Sequence, residues 1–133
     1  MELYVGGYAQ GKTEYVKRKY EDQSVVVIDG ETTELGLKDA DLTENSERVL
    51  FLHFHLWIRR LLFAGKDAET VAAAWLRAHP DGVIVADEVG NGIVPMERAE
   101  REYRDRLGRI LISIAAEAER VERVICGIGQ RLK

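Results

Sequence analysis

The octapeptide Gly6-Gly7-Tyr8-Ala9-Gln10-Gly11-Lys12-Thr13 constrains this chain more than any other stretch. It fits G-x-x-x-x-G-K-[ST] at every fixed position, between an apolar run (residues 3–5) and a helical pattern reaching about Tyr20. The spacing has a physical reason. Glycines let the backbone turn tightly, so that successive N–H groups converge on phosphate oxygens. Lys12 carries a mobile positive charge to the terminal phosphates, Thr13 offers a hydroxyl to Mg²⁺, and the helix starting here adds its positive dipole end. All eight residues are therefore expected to cradle a nucleoside triphosphate, ATP or GTP. The bland alternative is a glycine-rich turn that binds nothing.

Beyond this loop, short β-branched runs alternate with longer helical patterns. That order predicts an α/β fold: a P-loop NTPase-like three-layer sandwich with a mostly parallel central sheet. Residues 24–29 contain four consecutive apolar residues, the mark of a strand buried on both faces. Residues 30–44 read as loop. A helix is expected over residues 47–64, capped by Ser46 and ended by Gly65. Asp67 caps a second through Ala78, and His79-Pro80-Asp81-Gly82 makes a turn. Residues 83–86 read as the third strand, 88–95 as a loop, 96–118 as a long helix and 121–126 as the last strand. The expected order is β-α-β-α-α-β-α-β. Glu97/Arg101, Glu100/Arg104 and Glu102/Arg106 stand at i,i+4 on the long helix and read as a solvated face.

Composition narrows the class. The 133 residues fit one domain, and 46% apolar with 32% charged is ordinary for a globular chain. A net charge of −4 gives no support for a nucleic-acid partner. One cysteine cannot form an internal disulfide, which points to a reducing, cytoplasmic compartment. Met1 to Gly7 lack the basic and apolar regions of a signal peptide. Residues 49–58 are the greasiest stretch, but Arg59 and Arg60 cut it short of the roughly 20 apolar residues a membrane span needs.

A phosphate loop needs an acid at the end of a nearby strand for Mg²⁺. Asp29 ends VVVID and Asp87 ends VIVAD, with Glu88 directly after it. Either aspartate could be the metal-side carboxylate, and strand order does not follow from sequence. The segment DEVGNGIVP from Asp87 to Pro95 has two glycines and a proline, a shaped loop at a strand's carboxyl end, where open sheets place ligands.

The phosphate loop, DEVGNGIVP, the R-x-Y-R-D-x-x-G-R stretch from Arg101 to Arg109 and the terminal GIGQRLK together resemble the bifunctional adenosylcobinamide kinase/adenosylcobinamide-phosphate guanylyltransferase family. That resemblance implies a kinase that moves the γ-phosphoryl of ATP or GTP to a hydroxyl of a cobinamide-like corrinoid, with Mg²⁺, in a homo-oligomer, by resemblance a trimer. By position, Lys12 and Thr13 become the phosphate and Mg²⁺ contacts, and Asp29 corresponds to a nucleotide-side acid. Glu88 matches the family's Glu and could activate the acceptor hydroxyl. Asp87 stands where the family has Asn. The segment that in the family bears the guanylylated histidine is missing, since only Glu21 to Ser24 separate Tyr20 from VVVID. Guanylyl transfer is therefore doubtful. Two alternatives stand beside the kinase: a non-catalytic nucleotide-binding module, sensor or assembly partner, and a kinase or NTPase with an unrelated acceptor.

His53 and His55, read on a helix, point about 200° apart and cannot share a role. One is expected to pack and the other to lie on the surface, with His55 and Arg59 on one face as a possible anion pair. His79 is expected to be exposed, Cys126 a small buried hydrophobe, and Trp57 and Trp75 core or subunit-contact residues.

Overall fold

The computed structural model describes residues 1–36, 47–89 and 97–133. The cap at Ser46, the loop DEVGNGIVP from Gly90 onward and the helix start at Met96 lie outside the described residues.

The chain runs β1 (Glu2–Gly6), α1 (Lys12–Lys19), β2 (Val25–Asp29), β3 (Arg48–Leu52), α2 (Phe54–Phe63), α3 (Ala68–Ala78), β4 (Val83–Asp87), α4 (Arg98–Glu117), β5 (Arg120–Ile125) and β6 (Ile128–Arg131). The sheet order is β2-β3-β4-β1-β5-β6. Every pairing is parallel except the β5–β6 hairpin. This is the expected three-layer α/β sandwich of P-loop NTPase type. Alternate strand residues face opposite layers. Leu3, Phe51 and Ile84 join a core with α2, α3 and α4, built round Trp57, Trp75, Leu107 and Ile114. Tyr4, Leu50, Leu52, Val83 and Val85 face the other way, onto Val16 of α1 and onto Tyr20.

Several expectations need correction. The helix read over residues 47–64 is a strand followed by a shorter helix. Val49 to Leu52 are all buried between β2 and β4, and an apolar run of that length looks alike as strand or buried helix. His53, at φ 52, makes the break between them. The element order is thus β-α-β-β-α-α-β-α-β-β, because GIGQRLK also supplies a strand, β6, at the sheet edge.

Cys126 is exposed in the β5–β6 turn at φ 51, not buried. His79 is half-buried, stacked on Trp75 with ring centroids 4.3 Å apart. Most α4 charges are exposed, as read, Glu97, Arg101 and Glu102 among them, but two also tie helices together. Arg106 does meet Glu102 at 3.5 Å, but it also grips Glu69 of α3, and Glu100 pairs with Arg59 of α2. Trp57 and Trp75 sit in the core, as read.

Candidate active site

β1 and β4 lie side by side with Gly6 opposite Asp87, so the loop after β1 opens beside the acid that ends β4. Ala9 at φ 56 and Gly11 at φ 82 take left-handed conformations that turn the chain into α1. A side chain at Gly6 would bring its Cβ to 2.4 Å from the Val124 carbonyl oxygen, so only glycine lets β1 run this close to β5. The β5–β6 turn braces the loop: Cys126 N–H donates to Gln10 Oε1 at 2.9 Å, and Gly127 N–H to the Gln10 carbonyl at 2.7 Å.

A cleft of about 700 Å³ opens here, lined by residues 8–14 together with Glu31, His53, His55, Arg59, Asp87 and Tyr103. Lys12 is only 7% exposed. Its ammonium donates to the Gly7 carbonyl at 2.7 Å and meets Asp87 Oδ1 at 2.6 Å. The other Asp87 oxygen faces His55 Nε2 at 3.4 Å, while His55 Nδ1 accepts the Asp87 backbone N–H at 3.0 Å. Burial drives the His55 pKa down to about 4; the charges of His53 and Lys12 push the same way and Asp87 opposes them. The buried Tyr103 hydroxyl donates to the His55 carbonyl at 3.1 Å.

The geometry answers which aspartate flanks the phosphate loop. Asp87 does, on the adjacent strand. Asp29 ends β2, separated from β1 by β3 and β4. Its carboxylate accepts from the Glu31 N–H at 2.9 Å and meets His53 Nδ1 at 3.0 Å. Burial alone would raise its pKa, but these bonds outweigh it and hold the group below the usual carboxylate range. Asp29, Glu31 and His53 each offer one ligand atom, all within 4.8 Å of one another. Glu88 is clamped by Arg123 through two contacts, at 2.8 and 3.0 Å.

The helical premise that separated the two histidines does not hold, because His53 precedes α2, yet they do part as expected, with His55 buried and His53 partly exposed. Their rings are 6.1 Å apart and both line the cleft, each on a different aspartate. Arg59 reaches Glu100 and lies over the Phe63 ring at 4.4 Å, so its charge is already answered. Sequence reasoning also missed Arg123 and the bracing of Gln10. No local spacing announces either, since both depend on which strands are neighbours.

A family model described as cobinamide kinase / cobinamide phosphate guanyltransferase matches residues 16–132. Two curated relatives, each named bifunctional adenosylcobalamin biosynthesis protein CobU, come from Escherichia coli (strain K12) and Salmonella typhimurium (strain LT2). Each is 40% identical over 67 residues, covering 50% of this chain and 37% of the relative. The match thus spans just over a third of each relative's length. Among the described residues, no helix is long and apolar enough to cross a membrane.

Proposed function

Because the chain belongs to the cobinamide kinase / cobinamide phosphate guanyltransferase family, we propose that it is a P-loop kinase, transferring the γ-phosphoryl group of ATP or GTP to a hydroxyl of a cobinamide-like corrinoid. The observation that carries this is Lys12 beside Asp87, at the ends of adjacent parallel strands, inside a cleft of about 700 Å³.

The loop's N–H groups and the α1 dipole hold the phosphates. A phosphate oxygen competes with Asp87 for Lys12, and the exchange puts the ammonium where charge develops during transfer. Thr13 and Asp87 both line the cleft, and a hydroxyl with a carboxylate is the hard oxygen pair that Mg²⁺ takes. When bound there, Mg²⁺ supplies charge neutralisation on the phosphate oxygens.

The acceptor oxygen forms its bond to the γ-phosphorus as the bond to the β-phosphate oxygen breaks. Glu88, next to Asp87 but outside the residues that line the cleft, would take the hydroxyl proton only once its pair with Arg123 opens and its carboxylate turns inward. Asp29 reaches the cleft only through His53, which it orients, and with Glu31 and His53 it is the second place where a cation could sit. Positioning and charge neutralisation do most of the work. The proposed activity does not include guanylyl transfer, since by the same resemblance only Glu21 to Ser24 stand where the family carries its histidine segment. A homo-oligomer, a trimer by resemblance, and a cytoplasmic setting complete the proposal.

One observation favours a second reading, a nucleotide-binding module without turnover. Lys12 and Glu88 are both neutralised internally, by Asp87 and Arg123.

Incubation with Mg²⁺, adenosylcobinamide and ATP or GTP, followed by intact-mass analysis, separates the two. A corrinoid heavier by one phosphate, with the protein unchanged, is the expected result. Lys12→Ala should lower turnover by at least about a thousandfold without unfolding the chain. Full activity in that variant sinks the assignment. Nucleotide binding with an unchanged corrinoid moves it to the module.

A further inference from the structure

Among the groups lining the cleft, His55 turns both ring nitrogens toward one residue. It is 7% exposed and sits in the first turn of α2. Burying an imidazole is costly unless both nitrogens are satisfied, and here both address a single residue, Asp87. A backbone N–H can only donate, so Nδ1 must present its lone pair to Asp87 N–H. The proton then sits on Nε2, which lies 3.4 Å from Asp87 Oδ2, a polar contact longer than a hydrogen bond. The carboxylate is divided: Lys12 takes Oδ1 at 2.6 Å, and His55 faces Oδ2 at 3.4 Å. Tyr103 fixes the other end of this arrangement by donating to the His55 carbonyl.

We propose that His55 is the positioning residue for the metal-side carboxylate. As a neutral Nε2–H imidazole it keeps hold of Oδ2, so that when a phosphate draws Lys12 away, Oδ1 is presented to the cation in a fixed plane. The residue touches neither substrate nor metal and acts only through Asp87. Outer partners of this kind set ligand orientation, and their loss typically weakens metal binding by about ten- to a hundredfold. The proposal rests on the reading of Asp87 as the Mg²⁺-side acid, and its test keeps the two apart.

The hydrogen bond at Nδ1 and the longer contact at Nε2 can be separated by substitution. His55→Asn retains an acceptor near the Nδ1 position but is too short to reach the carboxylate. His55→Gln places a donor near Nε2. Binding of a fluorescent, non-hydrolysable ATP or GTP analogue would be titrated with Mg²⁺ in the wild type, Asp87→Asn, His55→Asn and His55→Gln, with thermal melts alongside.

The expected result is that His55→Asn raises the Mg²⁺ needed for half-maximal binding by about tenfold, while metal-free affinity stays within about twofold. His55→Gln should recover most of the loss, which a merely structural role would not produce. An unchanged Mg²⁺ requirement in His55→Asn, with Asp87→Asn shifted, overturns the His55 proposal and leaves the kinase reading standing. Equal weakening with and without Mg²⁺ also overturns it. If Asp87→Asn shifts nothing, or the wild type binds no nucleotide, the reading of Asp87 fails and His55 falls with it. Should His55→Asn not fold, His55→Gln decides alone: a Mg²⁺ requirement near wild type supports the proposal, and one like that of Asp87→Asn overturns it.

Discussion

Glu122 shows how one residue can link the sheet to the helix that begins at the phosphate loop. It is 2% exposed on β5, yet it accepts from Tyr15 at 2.6 Å, Arg120 at 2.5 Å and Lys19 at 3.1 Å. Burial alone would raise its pKa. The three bonds overturn that and bring it down to about 2, from an ordinary value of 4.5. The folded-state value is the lower one, so the bonds stabilise the chain fully above about pH 4.5, and their contribution drains away as pH falls toward 2. Glu122→Gln should therefore cost about 3 kcal/mol at neutral pH, where removing a buried charge leaves its partners unanswered. The difference from wild type should shrink steadily below pH 4.5 in pH-resolved thermal melts. A constant difference down to pH 2 would show that the glutamate's charge is irrelevant.

At the scale of elements, β3 carries the most. It separates β2 from β4 and sends Phe51 into the aromatic heart of the core. The Phe51 ring lies 5.3, 5.0 and 4.9 Å from those of Phe54, Trp57 and Trp75, edge-on to Phe54 and Trp75 and tilted against Trp57. Phe51→Ala leaves a cavity under three aromatic rings and should cost about 3–5 kcal/mol in urea unfolding. A loss below about 1 kcal/mol would mean that the site collapses freely. The same element was the least legible in the sequence. Val49 to Leu52 run apolar without alternation, and the helical pattern of residues 54–63 extends back over them by chance. Helix α3 was legible because its start is chemically marked: Asp67 accepts from Thr70 N–H at 3.2 Å, as an N-cap should.

For the whole molecule, the decisive fact is that the site is assembled from distant parts of the chain. The phosphate loop and the β5–β6 turn are braced by the Gln10–Cys126 bond, across 116 residues of sequence. Gln10→Ala removes the side-chain half of that brace and leaves the backbone half. Nucleotide affinity should fall by about three- to tenfold, the worth of one or so hydrogen bonds, with little change in melting temperature. Fluorescence titration with the nucleotide analogue reads it, and an unchanged affinity would show the loop to be rigid without the turn.

The sequence by itself determined what is local. Residues 6–13 are legible as a candidate phosphate loop because backbone conformation, charge and hydroxyl must follow one another at fixed spacing, and Asp29 and Asp87 are legible as strand ends. The layered α/β class follows from periodicity for the same reason. Tertiary structure alone decided which acid meets Lys12, since that depends on β4 rather than β2 pairing with β1. It also decided that His55 faces Asp87 and that Arg123 holds Glu88. These are contacts between neighbours in space, and strand order is set by how faces bury one another across the whole sheet, information that no short window of residues contains.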